Sequence, residues 1–327
     1  FTHNGEIPAT VPVHFISPVR GLNPRNLFRV WKRELPAILD QVKPDIVHAH
    51  FSLAAFILAI TKTPAQKWIS LHGVYHLADR SWKGRIIGAL EKIAIRKADR
   101  VEVLNRSDYE ELKHHSKVVQ IPVPGVGVDT SKFNFASLNQ ERLLEIKREL
   151  GIEEGDRVLL YVGRYTSFKG YPVFTEAATK FATHNKLKFI SCGLPDKIHG
   201  RHESPQTDNL IDVGWSNEIE YYMALSHLLL FPSQREGLPV TIMEALSMEL
   251  PVLAFNTRGV TDLIEHENNG FLAGEQTDEA YLQHLNYLLT NPQEVENVKL
   301  NLRESSRERL DSSNFVRWQE RAYLGKL

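Results

Sequence analysis

Apolar residues in this chain fall in short, nearly continuous runs that alternate with longer stretches carrying an apolar position every three or four residues. The runs at 11–16, 45–48, 67–71, 100–104 and 117–121 predict strands in the first half. Those at 157–162, 187–192, 209–213, 227–231 and 251–255 predict strands in the second. Helical periodicity predicts 26–42, 53–61, 82–97 and 107–114, then 171–183, 218–225, 240–247 and 279–289. Strand–helix alternation at this spacing predicts an α/β fold with parallel sheets flanked by helices. Runs such as Val158-Leu159-Leu160-Tyr161-Val162 and Leu228-Leu229-Leu230-Phe231 have no polar face, as strands covered on both sides require.

The rhythm breaks around residues 122–155, where Pro122, Pro124, Gly125 and Gly127 precede a charged helix at 139–150. A hinge is placed there. The 327 residues suffice for two domains with separate cores. The division expected is 1–135 for the first, 136–308 for the second and 309–327 for a C-terminal helix that crosses back to the first. The chain opens on Phe1 rather than Met, so the first domain is expected to be incomplete at its start.

Composition narrows the class. With 42% apolar and 24% charged residues, neither disorder nor a fibrous architecture is indicated. The single cysteine, Cys192, excludes an internal disulfide and a cysteine-cluster metal site, and its strand-like context reads as a buried, inert thiol. No stretch reaches the roughly 18–20 apolar residues that cross a bilayer, and no signal-peptide pattern opens the chain. The expected location is cytoplasmic, peripheral on the inner face of the cell membrane.

The net charge of −1 hides an asymmetry. Residues 1–148 carry 22 Lys and Arg against 14 Asp and Glu, and the remainder 17 against 26. A basic half suggests contact with an anionic surface. Nucleic acid fits poorly, because the cations are dispersed and no nucleic-acid motif accompanies them. The segment 82–100 interleaves Lys83, Arg85, Lys92, Arg96, Lys97 and Arg100 with Ile86, Ile87, Leu90, Ile93 and Ile95. It reads either as a basic amphipathic helix on anionic membrane or as a domain helix with a solvated face.

Two constellations carry chemistry. Val162-Gly163-Arg164 ends a predicted strand, and Lys169-Gly170 opens a helix. Ligands of open parallel sheets bind beyond the carboxyl ends of strands. A tight turn at Gly163 with two cations beside a helix N-terminus would suit a diphosphate, although a solvated Arg and Lys would leave the same string. The second is Phe231-Pro232-Ser233, then Glu236-Gly237-Leu238-Pro239, then Glu244-Ala245. Pro239 is placed to open a helix, with Glu236 in the preceding loop and Glu244 inside the helix. Two carboxylates so spaced could grip separate parts of a hydroxyl-rich ligand. The bland alternative, a solvated Glu244, conflicts with the apolar flanks Leu238, Val240, Ile242, Ala245 and Leu246.

Glu236-x7-Glu244, within Pro-Ser-x-x-Glu-Gly-x-Pro-x4-Glu-Ala, resembles the motif of the family-4 (group 1) retaining glycosyltransferases of GT-B fold. The resemblance runs almost end to end. Asp45-Ile46-Val47-His48-Ala49-His50, Leu71-His72-Gly73, Ala98-Asp99-Arg100-Val101 and Gly127-Val128-Asp129-x3-Phe133 look like first-domain and hinge motifs. Gly163-Arg164-x4-Lys169-Gly170, Gly259-Val260-x-Asp262-Leu263-Ile264 and Asn269-Gly270-Phe271-Leu272 follow in the expected order.

The resemblance implies two Rossmann-like domains with parallel sheets facing across an interdomain cleft. It implies that Arg164 and Lys169 hold the donor diphosphate, with Gly163 at the turn. Glu244 would bind the ribose, and Glu236 with the backbone of Gly237 and Leu238 the transferred sugar. Gly259 and Val260 would approach the phosphates through their backbone, and His72 would sit near donor sugar and acceptor. The expected partners are a nucleotide sugar donor, a glycan or lipid-linked acceptor and an anionic membrane surface, with no nucleic acid. No cofactor is expected, and no metal, since an Asp-x-Asp diphosphate clamp is missing. His48 and His50 share a strand face but lack an evident third ligand. Two departures stand out. The Gly-rich loop after the first strand is not recognisable, and the strand end Cys192-Gly193-Leu194-Pro195 replaces a doubled glycine, leaving base recognition open. A sugar-nucleotide epimerase and a non-catalytic nucleotide-sugar-binding subunit remain as alternatives; a dinucleotide-dependent dehydrogenase is disfavoured because no Gly-x-Gly-x-x-Gly occurs.

Overall fold

The computed structural model describes residues 23–74, 81–122, 124–195, 205, 207–304 and 307–326. The strand predicted at 11–16 lies outside the described residues. Two compact units divide the chain, Phe1–Val103 with Glu111–Val119, and Leu104–Glu110 with Gln120–Leu327. The short segment Leu104–Glu110 is thus grouped with the second unit although its chain neighbours belong to the first.

In the first unit, β1 (Ile46–His50), β2 (Gln66–Leu71), β3 (Arg100–Val103) and β4 (Val118–Gln120) form a sheet in sequence order. The β1–β2 and β2–β3 pairs are parallel. Helix Ser52–Ile60 buries Ala55, Ile57 and Leu58, and helix Trp82–Lys97 buries Ala94 and Ile95. The second of these starts where predicted, because Ser81 Oγ accepts the Gly84 N–H at 3.1 Å. The helix predicted at 26–42 is not uniform. It runs as Pro24–Arg29, a π-helical turn Val30–Glu34 and Leu35–Val42. Pro36 has no N–H to return to Lys32 and crowds that carbonyl, so the ladder slips just upstream and Leu35 N–H bonds Val30 O instead.

The second unit holds a six-stranded sheet made of β5 (Arg157–Val162), β6 (Leu187–Cys192), β7 (Leu210–Gly214), β8 (Leu228–Phe231), β9 (Val252–Phe255) and β10 (Phe271–Ala273). Every pairing is parallel, in the spatial order β7-β6-β5-β8-β9-β10. This is the doubly wound Rossmann order. It reverses between β5 and β8, which makes their carboxyl ends the topological switch point where ligands bind. The core is continuous, from Phe174 and Phe189 through Leu229 and Leu230 to Phe255 and Tyr281.

Besides short 3-10 turns, one strand and one α-helix are not legible in the sequence pattern. The strand Phe271–Ala273 has only 3 residues, too few to show a period. Helix Pro292–Glu304 is mostly polar, its core positions being Val298 and Leu302. Helix Ser312–Tyr323 is capped by Asp311, which accepts the Ser313 N–H at 2.9 Å and the Thr130 hydroxyl. Its entry is tied to Val128 by two backbone bonds, Val128 N to Leu310 O and Ser312 N to Val128 O. Among the described residues, no helix is long and apolar enough to cross a membrane.

Candidate active site

β5 delivers Gly163 and Arg164 to the switch point. The Tyr161 hydroxyl donates to Arg164 O at 2.8 Å and lies 3.3 Å from Lys169 O, pinning both ends of the loop. The chain bends at Gly163 as the sequence places it, without a positive φ there. The positive φ belongs to Gly170, at 74°, where a Cβ would lie 2.0 Å from Pro232 O. Only glycine lets the start of helix Tyr171–Lys180 rest against the chain leaving β8.

A cavity of about 240 Å³ opens between the ends of β5 and β8, lined by Gly163, Lys169, Phe231, Glu236, Leu238 and Thr241 among others. Within it Lys169 Nζ lies 2.7 Å and 3.0 Å from the two oxygens of Glu236. The Glu236 side chain retains 9% of its exposure, so the pair is largely removed from water. Arg164 is exposed, with its guanidinium over the Phe168 ring at 5.4 Å, and Arg235 approaches the same ring at 5.6 Å.

Helix Val240–Ser247 follows Pro239 and is largely covered, with Ile242, Met243, Ala245 and Leu246 buried. Glu244, one turn in, is partly buried. Loss of hydration raises its carboxyl to about 7, opposed by Lys132 and reinforced by Glu220. Gly237 and Leu238 are backed by Gly259, whose φ is 77° and where a Cβ would lie 2.0 Å from Gly237 O. Val260 is fully buried.

A second cavity, of about 550 Å³, shares Val162 and Gly163 with the first, is lined also by Arg164, and extends past Leu194, Pro195 and Trp215. Cys192 contributes to its wall, and burial pushes that thiol up to about 12, consistent with an inert cysteine.

The first unit gathers three histidines. His48 and His50 share a face of β1 as predicted, their rings stacked at 4.5 Å. His50 Nδ1 is 3.1 Å from His72 Nε2, and the Phe51 ring stacks on His72 at 4.4 Å. Phe51 holds φ 68° and ψ 155°, a strained conformation for a side-chain-bearing residue. His48 Nε2 donates to Ser70 Oγ at 2.8 Å, and Ser70 donates onward to the fully buried Glu102 at 3.0 Å. Burial, then the neighbouring His50, lowers His48 to about 3 and His72 to about 4, so both rings are neutral at neutral pH. Among the described residues no group of three His, Cys, Asp or Glu side chains is placed to hold a metal ion.

The model of the family Glycosyl transferases group 1 matches residues 144–308, and that of Glycosyltransferase Family 4 matches residues 1–132. The chain belongs to the group 1 glycosyltransferases. The fold of this glycosyltransferase is GT-B. The chain is 30% identical over 249 residues to the UDP-Gal:alpha-D-GlcNAc-diphosphoundecaprenol alpha-1,3-galactosyltransferase of Escherichia coli, covering 72% of this chain and 64% of that one. It is 30% identical over 189 residues to an uncharacterized glycosyltransferase of Haemophilus influenzae, covering 56% and 51%. The chain therefore spans about half to two thirds of the length of these curated relatives. Among solved structures, Anabaena HepE in complex with UDP and glucose superposes with a TM-score of 0.76 at 17% identity, covering 95% of this chain and 85% of that one. Sucrose-phosphate synthase of Thermosynechococcus elongatus gives 0.75 at 17% identity, covering 95% and 82%.

Side chains beside the candidate site that the sequence did not single out are Arg235, Lys132 and Trp215. Arg235 had a legible signal, a third cation one position before Glu236. Lys132 lies far in sequence from Glu220, to which it is bridged at 3.4 Å, and only folding shows the relation.

Proposed function

We propose that this glycosyltransferase moves a sugar from a nucleoside diphosphate sugar to an acceptor hydroxyl, with retention at the anomeric carbon and without a metal. The observation that carries the reading is the Lys169–Glu236 pair lining the switch-point cavity. Lys169 with Arg164 offsets the diphosphate charge, the largest catalytic contribution in such a reaction. Glu236 and the Gly237–Leu238 backbone take the transferred sugar, Glu244 the ribose hydroxyls, and Gly259 and Val260 the phosphates through their backbone. His72, neutral at working pH, serves the acceptor side as a hydrogen-bonding group.

Retention follows a front-face route. The bond from the anomeric carbon to the diphosphate breaks while the acceptor oxygen bonds the same face, and the acceptor proton passes to the departing phosphate. Glu236 is the one carboxylate lining the cavity among the described residues, and in this reading it holds the transferred sugar rather than attacking it.

UDP is the expected nucleotide, because a UDP-galactose enzyme is among the relatives and HepE is in complex with UDP and glucose. The base would lie in the 550 Å³ cavity against Trp215 and Pro195. The acceptor class is lipid-linked or cell-envelope glycan, by likeness to the Escherichia coli diphosphoundecaprenol enzyme and to the Bacillus subtilis putative teichuronic acid biosynthesis glycosyltransferase TuaC. A cytoplasmic, membrane-peripheral site of action fits helix Trp82–Lys97. Its exposed face sets Trp82 (67%), Ile86 (43%) and Ile93 (37%) among the exposed Arg85, Lys92 and Arg96.

Calorimetric titration of UDP, GDP and ADP into the wild type and the Arg164→Ala/Lys169→Ala variant tests the reading. One nucleotide should bind the wild type and lose at least about tenfold, roughly 1.4 kcal/mol, in the variant. Absence of binding by a folded wild type would overturn it.

A further inference from the structure

The Gly237–Leu238 peptide is held from behind by a buried polar network. Asn105 and Asp108 have no exposed surface. Asp108 N–H donates to Asn105 Oδ1 at 2.8 Å, and Asn105 Nδ2 donates to Asp108 Oδ2 at 2.9 Å. Since a backbone N–H can only donate, the first bond fixes which end of the carboxamide carries oxygen. The other Nδ2 hydrogen donates to Gly237 O at 2.8 Å. The remaining oxygen of Asp108 accepts from Arg258 Nη1 at 2.7 Å. Arg258 immediately precedes Gly259, which itself abuts the Gly237 carbonyl. Arg106 N–H donates to Asp262 at 2.6 Å and closes the framework.

A buried ionic network is a poor source of stability, since its attraction is largely offset by lost hydration. What it supplies here is direction. A trans, planar peptide points its C=O and the following N–H opposite ways. Anchoring Gly237 O therefore fixes the direction of the Leu238 N–H, and Leu238 lines the cavity that also holds Lys169 and Glu236.

We propose that Asn105, braced by Asp108 and Arg258, is a positioning residue that sets the Gly237–Leu238 peptide to bind a hydroxyl of the transferred sugar. The proposal rests on the glycosyl-transfer reading above. It predicts a split between sugar and nucleotide. Losing Asn105 leaves the nucleotide's own contacts in place but misorients the sugar at the reacting bond.

The test measures nucleotide release from UDP-glucose, UDP-galactose, GDP-mannose and ADP-glucose by the wild type, then takes its best donor to Asn105→Ala. The variant should lose at least tenfold in kcat while binding the matching free nucleoside diphosphate within threefold of wild type. Unchanged kcat overturns the proposal. So does an equal loss in kcat and nucleotide affinity, which would mark a merely structural role. If Asn105→Ala does not fold, Arg258→Gln is read instead; it should show the same split with a loss of three- to tenfold, and unaltered turnover refutes the idea. A wild type that binds and turns over none of the donors defeats the function reading and this inference with it. An active wild type matched by its variants defeats the inference alone.

Discussion

Lys169 Nζ bonds both oxygens of Glu236, so the cation assigned to the diphosphate and the carboxylate assigned to the sugar neutralise one another before any donor arrives. A donor phosphate must compete with Glu236 for that ammonium. Glu236→Gln should therefore bind UDP as tightly as the wild type, or up to about tenfold more tightly, while transfer falls at least about a hundredfold. Calorimetry and initial rates on the same preparations decide it. A tenfold loss of UDP affinity would assign Glu236 to the nucleotide instead.

If Glu244 takes the ribose hydroxyls as proposed, donor binding should be pH-dependent. Its carboxyl is raised to about 7 from the ordinary 4.5, chiefly by burial. Ribose hydroxyls donate to the ionised form, so UDP affinity should rise as pH increases from 6 to 8, with proton release near neutrality. Stability runs the other way. Between 4.5 and 7 the folded state holds a proton that the unfolded chain has lost, so this contribution is complete below 4.5 and disappears as pH rises through 7. Glu244→Gln should flatten both dependences and melt above the wild type at pH 8, by an amount that shrinks toward pH 5. A variant that keeps the wild-type pH dependence of UDP binding would exclude Glu244 as its source.

Gly170→Ala should destabilise the protein by at least about 2 kcal/mol. The methyl group would meet the Pro232 carbonyl at 2.0 Å in a left-handed backbone conformation. Since Gly170 and Pro232 adjoin the loops proposed to hold the donor, UDP affinity should fall as well. Urea unfolding with the transition slope checked against wild type measures the effect, and a change under 0.5 kcal/mol would contradict the packing described.

Helix Trp82–Lys97 should direct the protein to anionic bilayers. Co-sedimentation with phosphatidylglycerol vesicles is expected for the wild type and not with phosphatidylcholine alone. Arg85→Glu/Lys92→Glu should abolish it, and Trp82→Ala weaken it severalfold, with UDP binding unaltered. Equal binding by the charge-reversed variant would show the face to be simply solvated.

The sequence by itself determined the α/β class and most elements of both sheets, because strands covered on both faces must be apolar throughout and helices must show their period. Helix Val240–Ser247 and strands Arg157–Val162 and Leu187–Cys192 begin and end where the pattern says. The ordered motifs also fixed the family, and of the residues they named, Gly163, Lys169 and Glu236 line one cavity at the switch point, whereas Arg164 lines the neighbouring one and Glu244 lines neither. Local pattern could not show that Gly170 takes a left-handed conformation against Pro232, since that depends on how closely the chain after β8 approaches. Nor could it show that Lys169 spends its charge on Glu236, that Lys132 and Glu220 surround Glu244, or that Asn105 reaches Gly237. Each of these relations joins residues distant in the chain, and burial and distance, which set their energies, exist only once the sheets are assembled.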